Sequence, residues 1–316
     1  MENILITGGA GFIGSTLANC LAKSNKVLVI DDLSMGEKSN LSSSENIKFI
    51  EGSVTDKDLM SEILTNNQFE YIYHLAAIAS VADSVARPIE THQVNFESVL
   101  MLLEFCRKYQ QNLKRLIFSS SAAVYGDEPT LPKKEESVIR PLTPYAIDKF
   151  AAEQYVLDYY HLYNVPTSAV RFFNVYGPNQ NPNSPYSGVI SILVDQYKKH
   201  LKNENSKFIL FGDGEQSRDF VYIEDVIQAL LLIATKKEAL GRQFNVGTGK
   251  ASSLNDLIHT IDQSLDTKIA INYQDERAGD IRYSLANIER LTSLNFRQKY
   301  SLLDGMKKYL KFELNN

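Results

Sequence analysis

The sequence predicts an α/β fold: a doubly wound parallel sheet with a smaller, interleaved C-terminal α/β domain. Three observations carry this. Short apolar runs alternate with longer helical patterns through the first half of the 316 residues. The runs at 3–6, 26–30, 47–50, 71–75, 113–119 and 166–172 are nearly continuous in apolar residues, as strands covered on both faces must be. The first run passes directly into Thr7-Gly8-Gly9-Ala10-Gly11-Phe12-Ile13-Gly14 and then into a helical pattern.

Each element follows in order. Ile4, Leu5 and Ile6 form the first strand, and Phe12, Leu17, Cys20 and Leu21 mark the helix at 12–23. Between them Gly9, Gly11 and Gly14 satisfy G-x-G-x-x-G, while Gly8, Gly11 and Gly14 satisfy G-x-x-G-x-x-G. A glycine turn from strand to helix N-terminus sets backbone N–H groups against a dinucleotide pyrophosphate. The second strand ends at Asp31-Asp32, where an acidic residue roughly 20 positions past the fingerprint suits a ribose hydroxyl pair. This is the Rossmann arrangement. Helices at 57–65, 89–109 and 144–163 complete the alternation, with right-handed crossovers expected.

After Arg171 the texture changes. Residues 177–188 hold three prolines and many polar side chains, and so form a long loop of the kind that carries function. A helix near 189–203, a strand at 207–211, a Gly-Asp-Gly turn, a strand from Asp219 to Ile223 and a helix at 224–235 follow. The tail holds a helix near 253–265, a strand at 268–273, a polar loop and two short helices. With no repeat and no low-complexity linker, the expected division is interleaved. Residues 1–176 and about 216–248 form the dinucleotide-binding domain, and about 177–215 and 249–316 form the second.

Charge and composition narrow the class. The net charge is 33 − 38 = −5, which gives no reason to expect nucleic acid or an anionic membrane as partner. The basic clusters Lys198-Lys199-His200 and Lys307 to Lys311 read as solvated helix faces. Cys20 and Cys106 sit in apolar helical patterns and are expected as buried thiols, and no His, Cys and carboxylate set has zinc spacing, so no metal is expected. No apolar run approaches the length of a membrane span. The first strand begins at residue 3, which leaves no room for a leader, so the cytoplasm is the expected compartment.

Tyr145 and Lys149 form Y-x-x-x-K. On a helix these two share a face, and a cation beside a phenol favours phenolate. An ordinary tyrosine near pKa 10 is only about 0.1% ionised at neutral pH, so a basic tyrosine needs such tuning. Pro144 suits the first turn of that helix. Upstream, the strand Leu116-Ile117-Phe118 ends in Ser119-Ser120-Ser121 at a carboxyl edge, where ligands bind in open α/β sheets. Ser119 and Ser120 read as strand-end caps, and Ser121 as a hydroxyl that guides a sugar proton to the tyrosine.

At these residues the chain resembles the extended short-chain dehydrogenase/reductases, specifically the nucleotide-sugar 4-epimerases. TGGAGFIG, HLAA (74–77), SSSAAVYG (119–126), PYAIDK (144–149), RFFNVYGP (171–178), GDGEQSRDFVYIEDV (212–226), NVGTG (245–249) and RAGD (277–280) occur in the family's order. The resemblance implies Ser121, Tyr145 and Lys149 as catalytic residues. It implies NAD as cofactor, held by Gly8, Gly11, Phe12, Ile13 and Gly14, with Asp31 and Asp32 on the adenosine ribose repelling a 2′-phosphate. Leu75, Ala76, Ala77 and Asn95 would line the cofactor. Ser53, where the family often has Asp, is followed by Val54 near the adenine.

For a UDP-sugar substrate, Ser121, Ala122 and Asn174 would face the sugar diphosphate. Arg218 and Arg277 would bind its phosphates, since guanidinium stays charged and bonds bidentately. Asp280 lies in the same loop as Arg277, and Gly212 and Gly214 would shape the loop under the nucleobase. Ser80 and Ser84 are sugar contacts or, equally, helix caps. The family's dehydratases need an Asp-Glu pair after the catalytic hydroxyl, and its decarboxylases a glutamate before Val-Tyr-Gly. Here those places are Ala122 and Ala123. What remains is oxidation at C4, rotation of the 4-keto sugar, and return of hydride to the opposite face.

Ser284 aligns with a residue that gates room at sugar C2, and a small side chain there admits N-acetyl groups. The Q-N-P-x-x-x-Y-S-G segment at 180–188 points the same way. The expected substrates are therefore UDP-Glc/UDP-Gal and UDP-GlcNAc/UDP-GalNAc. The alternatives are a UDP-glucuronate 4-epimerase, with Arg282 on the carboxylate, a decarboxylase, a 4,6-dehydratase, and a non-catalytic NAD sensor. The family also implies a homodimer, formed through the helices at 89–109 and 144–163.

Overall fold

The computed structural model describes residues 1–181, 188–276 and 281–315. The chain lays down β1 (Asn3–Thr7), α1 (Phe12–Leu21), β2 (Lys26–Asp31), β3 (Ile47–Glu51), α2 (Lys57–Asn66) and β4 (Tyr71–His74). Next come α3 (Val81–Ala86), α4 (Pro88–His92), a π-turn at Gln93–Glu97, α5 (Ser98–Tyr109), β5 (Arg115–Ser121), α6 (Pro144–Tyr163) and β6 (Thr167–Phe172). Then follow β7 (Asn174–Tyr176), α7 (Val189–Leu201), β8 (Phe208–Phe211), β9 (Ser217–Arg218), β10 (Phe220–Tyr222), α8 (Ile223–Thr235) and β11 (Gln243–Val246). The remainder is β12 (Ser252–Ser253), α9 (Leu254–Leu265), β13 (Ile271–Gln274), α10 (Glu289–Thr292) and α11 (Leu302–Asn315).

Seven strands form one parallel sheet in the order β11-β6-β5-β4-β1-β2-β3. Strand order reverses between β1 and β4, so the crevice at their carboxyl ends is the switch point of a doubly wound sheet. Alternate side chains divide the core. Ile4, Ile6, Val27 and Val29 pack on one face with Leu17 of α1 and Leu230 and Ile233 of α8. Leu5, Ile72, Leu116 and Phe118 pack on the other with Ile63 of α2, Leu102 of α5 and Val156 of α6. Each such side chain contributes about 1.5–3 kcal/mol on burial.

Three short pairs lie beyond this sheet: β7 with β10, β8 with β13, and β9 with β12. Between them and the main sheet runs a buried polar network. Arg171 donates to both Glu153 oxygens at 2.9 and 2.5 Å, and also to Tyr125 Oη and Glu135 O. Tyr125 donates in turn to Asn245 Oδ1 at 2.6 Å. Asn245 N–H bonds Glu135 Oε1, and its amide bonds Lys133 O. A fully buried pair is stable only when its remaining polar atoms are satisfied, and here β6, α6, β11 and the segment 125–135 satisfy one another.

Several boundaries depart from the sequence expectation. The predicted helix at 89–109 is preceded by α3 and broken into α4, the π-turn and α5. The break before Pro88 arises because proline disfavours helical geometry in the residue preceding it. The predicted strand 219–223 shortens to β10 at Phe220–Tyr222, with the two-residue β9 before it and between them Asp219, whose side chain bonds other loops. Strand β11 was not predicted: its four residues, Gln243–Val246, carry only two large apolar side chains. The last of the two short helices expected in the tail has 14 residues. Cys20 is half-buried and Cys106 buried, and both are free thiols.

Candidate active site

A cavity of about 570 Å³ opens at the switch point. It is lined by Gly8 and Gly11 after β1, by Asp31 at the end of β2 with Asp32, Ser34 and Gly36 after it, and by Val54 and Thr55 after β3. Leu75, Ala76, Ala77 and Ile78 after β4 line it too, with Arg87, Glu90, Gln93 and Val94. Glycine is required here. Gly8 has φ +69°, and a Cβ on it would lie 2.6 Å from Ala76 N. A Cβ on Gly14 would collide with Gly8 O. Phe12 and Ile13 pack into the core, while the opening N–H groups of α1 have no intrahelical acceptor. The cradle therefore has the shape and donor set that a dinucleotide pyrophosphate needs.

The two aspartates divide their work. Asp31 is buried and accepts from Ala10 N and Leu33 N, both at 2.9 Å, so it also ties the glycine turn to β2. Burial raises its pKa against those backbone bonds. Asp32 is exposed and turns the chain by accepting from Ser34. Val54 lines the cavity, whereas the Ser53 hydroxyl pairs with Thr55 Oγ1 and does not line it. Asn95 is likewise one step back: it accepts from Ile78 N at 2.9 Å and donates to Ile78 O at 3.0 Å. It holds the cavity wall in place without forming part of it.

The proposed proton-handling set stands at the carboxyl end of β5 and the start of α6, outside the residues that line this cavity. Thr143 caps α6, Pro144 opens it, and Tyr145 and Lys149 follow on one face. Ser121 ends β5, and its hydroxyl acts on the Tyr145 phenol to lower its pKa. Burial acts more strongly and leaves the phenol above its ordinary value. Lys149 lies one turn further along α6. Its ammonium donates to Ser119 O at 2.7 Å and sits 4.9 Å over the Phe118 ring. Burial lowers Lys149 to about 7, opposed by the charge of Asp148. The lysine is 2% exposed, and the strand-end carbonyl satisfies it. Lys149 also acts on His74, whose imidazole burial pushes down to about 3 and whose Nδ1 bonds Thr7 Oγ1.

The remaining candidates separate. Ser80 caps α3 through Asp83 N, and Ser84 bonds Val81 O, so both hydroxyls are engaged as helix caps or within the helix. Ala122 packs with Val124, Tyr125 and Phe173. Asn174 and Arg218 share a second cavity of about 490 Å³ with Val189, Ile192, Phe211 and Gln216. Ser284 N–H donates to Ser217 O, which brings Ser284 beside Arg218. Arg282, the candidate carboxylate partner, already holds Glu276 and Asp213 at 2.6 Å each. Arg277, Asp280 and residues 182–187 of the 180–188 segment lie outside the described residues. Among the described residues no group of three His, Cys, Asp or Glu could hold a metal, and no helix is long and apolar enough to cross a membrane.

Sequence reading missed Asp219. Fully buried, it accepts from Thr248 N and Oγ1 at 2.7 Å, Gly249 N at 2.9 Å and Ala286 N at 3.2 Å. It joins the NVGTG turn to the strand end beside Arg218. The signal was its place in GDGEQSRDF next to an arginine.

Comparison with known proteins accords with this arrangement. Residues 4–247 match the model of the NAD dependent epimerase/dehydratase family. The UDP-glucose 4-epimerase of Mycolicibacterium smegmatis is 35% identical over 317 residues, covering 98% of each chain. A UDP-N-acetylglucosamine 4-epimerase structure from Methanobrevibacter ruminantium, in complex with UDP-N-acetylmuramic acid, superposes with a TM-score of 0.92 at 38% identity, covering 99% of this chain and 98% of that one. A UDP-glucose 4-epimerase from Thermotoga maritima, with UDP-glucose, gives 0.91 at 36% identity and covers 98% of each.

Proposed function

The chain belongs to the NAD-dependent epimerase/dehydratase family, and from that premise we propose that it interconverts UDP-hexoses epimeric at C4, N-acetylated ones included. It is an NAD-dependent nucleotide-sugar epimerase. One observation carries the reading of the chemistry. Ser121, Tyr145 and Lys149 stand together at the end of β5, while Ala122 and Ala123 leave no second acid or base there.

When bound, NAD accepts the C4 hydride and gives it back. The chain's own residues handle the rest. Tyr145 takes the proton of the 4-hydroxyl, and Ser121 bridges sugar oxygen and phenol. Lys149 supplies positive charge beneath this pair. Because burial disfavours the phenolate and keeps the Tyr145 phenol protonated, the reaction needs positive charge next to it in the loaded enzyme. Arg218 and Asn174 hold the nucleotide, and Arg277 and Asp280 complete that grip. The C4–H bond breaks and re-forms on opposite ring faces, so the sugar turns between the two transfers and the cofactor is unchanged over a cycle.

Support for N-acetylated substrates comes from the small Ser284 side chain beside Arg218. The carboxylate reading of the substrate has less support, because Arg282 is already paired with two carboxylates. In the proposed interleaved division, 1–176 with 216–248 and 177–215 with 249–316, the first cavity belongs to the former unit and the second is lined by residues of both. A homodimer through α5 and α6 is supported by exposed Ile147, Tyr155 and Tyr109 on those helices and by Val85 and Ile89 beside them.

The test is direct. Purified protein is incubated with UDP-Glc, UDP-Gal, UDP-GlcNAc, UDP-GalNAc and UDP-GlcA without added cofactor, and anomeric NMR signals are followed. Epimers of the first four are expected. Tyr145→Phe should retain NAD and lose about 10³-fold or more in turnover. Near-normal turnover in that variant would remove the base assignment. New pentose or 6-deoxy-4-keto signals would overturn the epimerase reading.

A further inference from the structure

Asp148 takes no part in the steps above, yet it is the neighbour of Lys149 on α6, both side chains are buried, and its charge acts on the ammonium. Its side chain is 7% exposed. Oδ1 lies 2.7 Å from His92 Nδ1 on α4, and since a carboxylate only accepts, the ring nitrogen is the donor. Oδ2 is buried with no hydrogen-bond partner among the described residues. An unsatisfied buried carboxylate oxygen is costly. No carboxylate lies within ion-pair distance of Lys149 among the described residues, so the ammonium has only the Ser119 carbonyl, the Phe118 face and this carboxylate's field.

His92 is itself fixed. Its ring stacks on Phe96 at 5.0 Å, and Phe96 meets Tyr155 of α6 edge-on at 5.4 Å. On the elements packed against α6, Glu104 pairs with Arg107, Lys108 and Tyr159, Arg171 with Glu153, Arg87 with Asp83 and Glu90, and Arg115 with the Ile233 and Lys236 carbonyls, while Glu97 is exposed. His74 on β4 is buried and neutral.

We propose that Asp148, held by His92, is a positioning residue for Lys149, keeping its ammonium charged on the Ser119 carbonyl and the face of Phe118. This rests on the reading of Lys149 as part of the proton-handling set. Removing the anion disfavours the ammonium, so Lys149 loses its proton at a lower pH, and the alkaline fall of kcat moves the same way.

The experiment uses full-length protein labelled with 13Cε-lysine. The Lys149 resonance is assigned by its loss in Lys149→Met and titrated alongside kcat and KM. Asp148→Asn should lower the Lys149 midpoint by about half a unit or more, and lower kcat at pH 8 by about 3-fold or more. KM for the UDP-sugar should stay within about 2-fold, because nucleotide contacts are untouched. Asp148→Glu should recover most of kcat, and His92→Leu should show part of the loss. If Asp148→Asn does not fold, the last two variants carry the test. An unchanged midpoint and profile in Asp148→Asn, or in His92→Leu where that variant stands in, with Lys149→Met inactive, would overturn the proposal alone. Full turnover in Lys149→Met would overturn the parent reading and this one with it.

Discussion

Replacing Lys149 by Met should abolish epimerisation and yet stabilise the cofactor-free protein. The lysine is 2% exposed, and burial lowers its pKa from 10.5 to about 7. Each unit is worth about 1.4 kcal/mol, so holding this group in the fold costs about 4 kcal/mol at pH 7. Methionine fills similar space without charge. Against that, the Ser119 carbonyl loses its donor and Phe118 loses a cation, together worth about 2 kcal/mol. The net gain is about 2 kcal/mol, or roughly 3 °C in Tm for a chain of this length.

The sign of its pH dependence is fixed by linkage. The folded pKa is lowered, so below about 7 both states hold the proton and the cost is fully present. Between about 7 and 10.5 the unfolded chain binds more protons, and wild-type stability rises with pH. The advantage of Lys149→Met should therefore be largest at pH 6 and shrink towards pH 10. Thermal unfolding of both proteins across that range measures it. A variant less stable than wild type at pH 6, or a gap that does not change with pH, would refute the reasoning.

Other outcomes follow from single contacts. Gly14→Ala places a methyl group against Gly8 O and should reduce NAD affinity by about 10-fold or more, read by the cofactor retained on purification. Wild-type retention would mean that the cradle relaxes. Glu153→Gln leaves the Arg171 guanidinium buried without its anion and should cost about 3–5 kcal/mol in denaturant unfolding. A loss under about 1 kcal/mol would mean that Tyr125 and Glu135 suffice. Ser284→Tyr should suppress turnover of acetylated UDP-sugars more than that of UDP-Glc and UDP-Gal, and equal loss on both would remove the gate.

Much of this protein is legible in its sequence where chemistry is local. Apolar runs set six of the seven central strands to within two residues at either end, because a doubly covered strand has little freedom in composition. The Gly8–Gly14 turn, Asp31 at the end of β2 and Thr143-Pro144 at the start of α6 are read from neighbours in the chain. The seventh strand, β11, hid because four mixed residues carry no clear period.

What only the tertiary structure decided are partnerships between residues far apart in sequence. Helical spacing put Lys149 on the face of Tyr145, but the bond of its ammonium to Ser119 O depends on how α6 settles against β5. The hold of Asn95 on Ile78 and the capping of α3 by Ser80 are seen only in the fold. Asp219 gathers Thr248, Gly249 and Ala286 only when three loops meet. Local sequence fixes backbone form because the forces involved act within a turn or a strand. Which buried polar group meets which depends on packing, since each must find its partner wherever the folded chain places one.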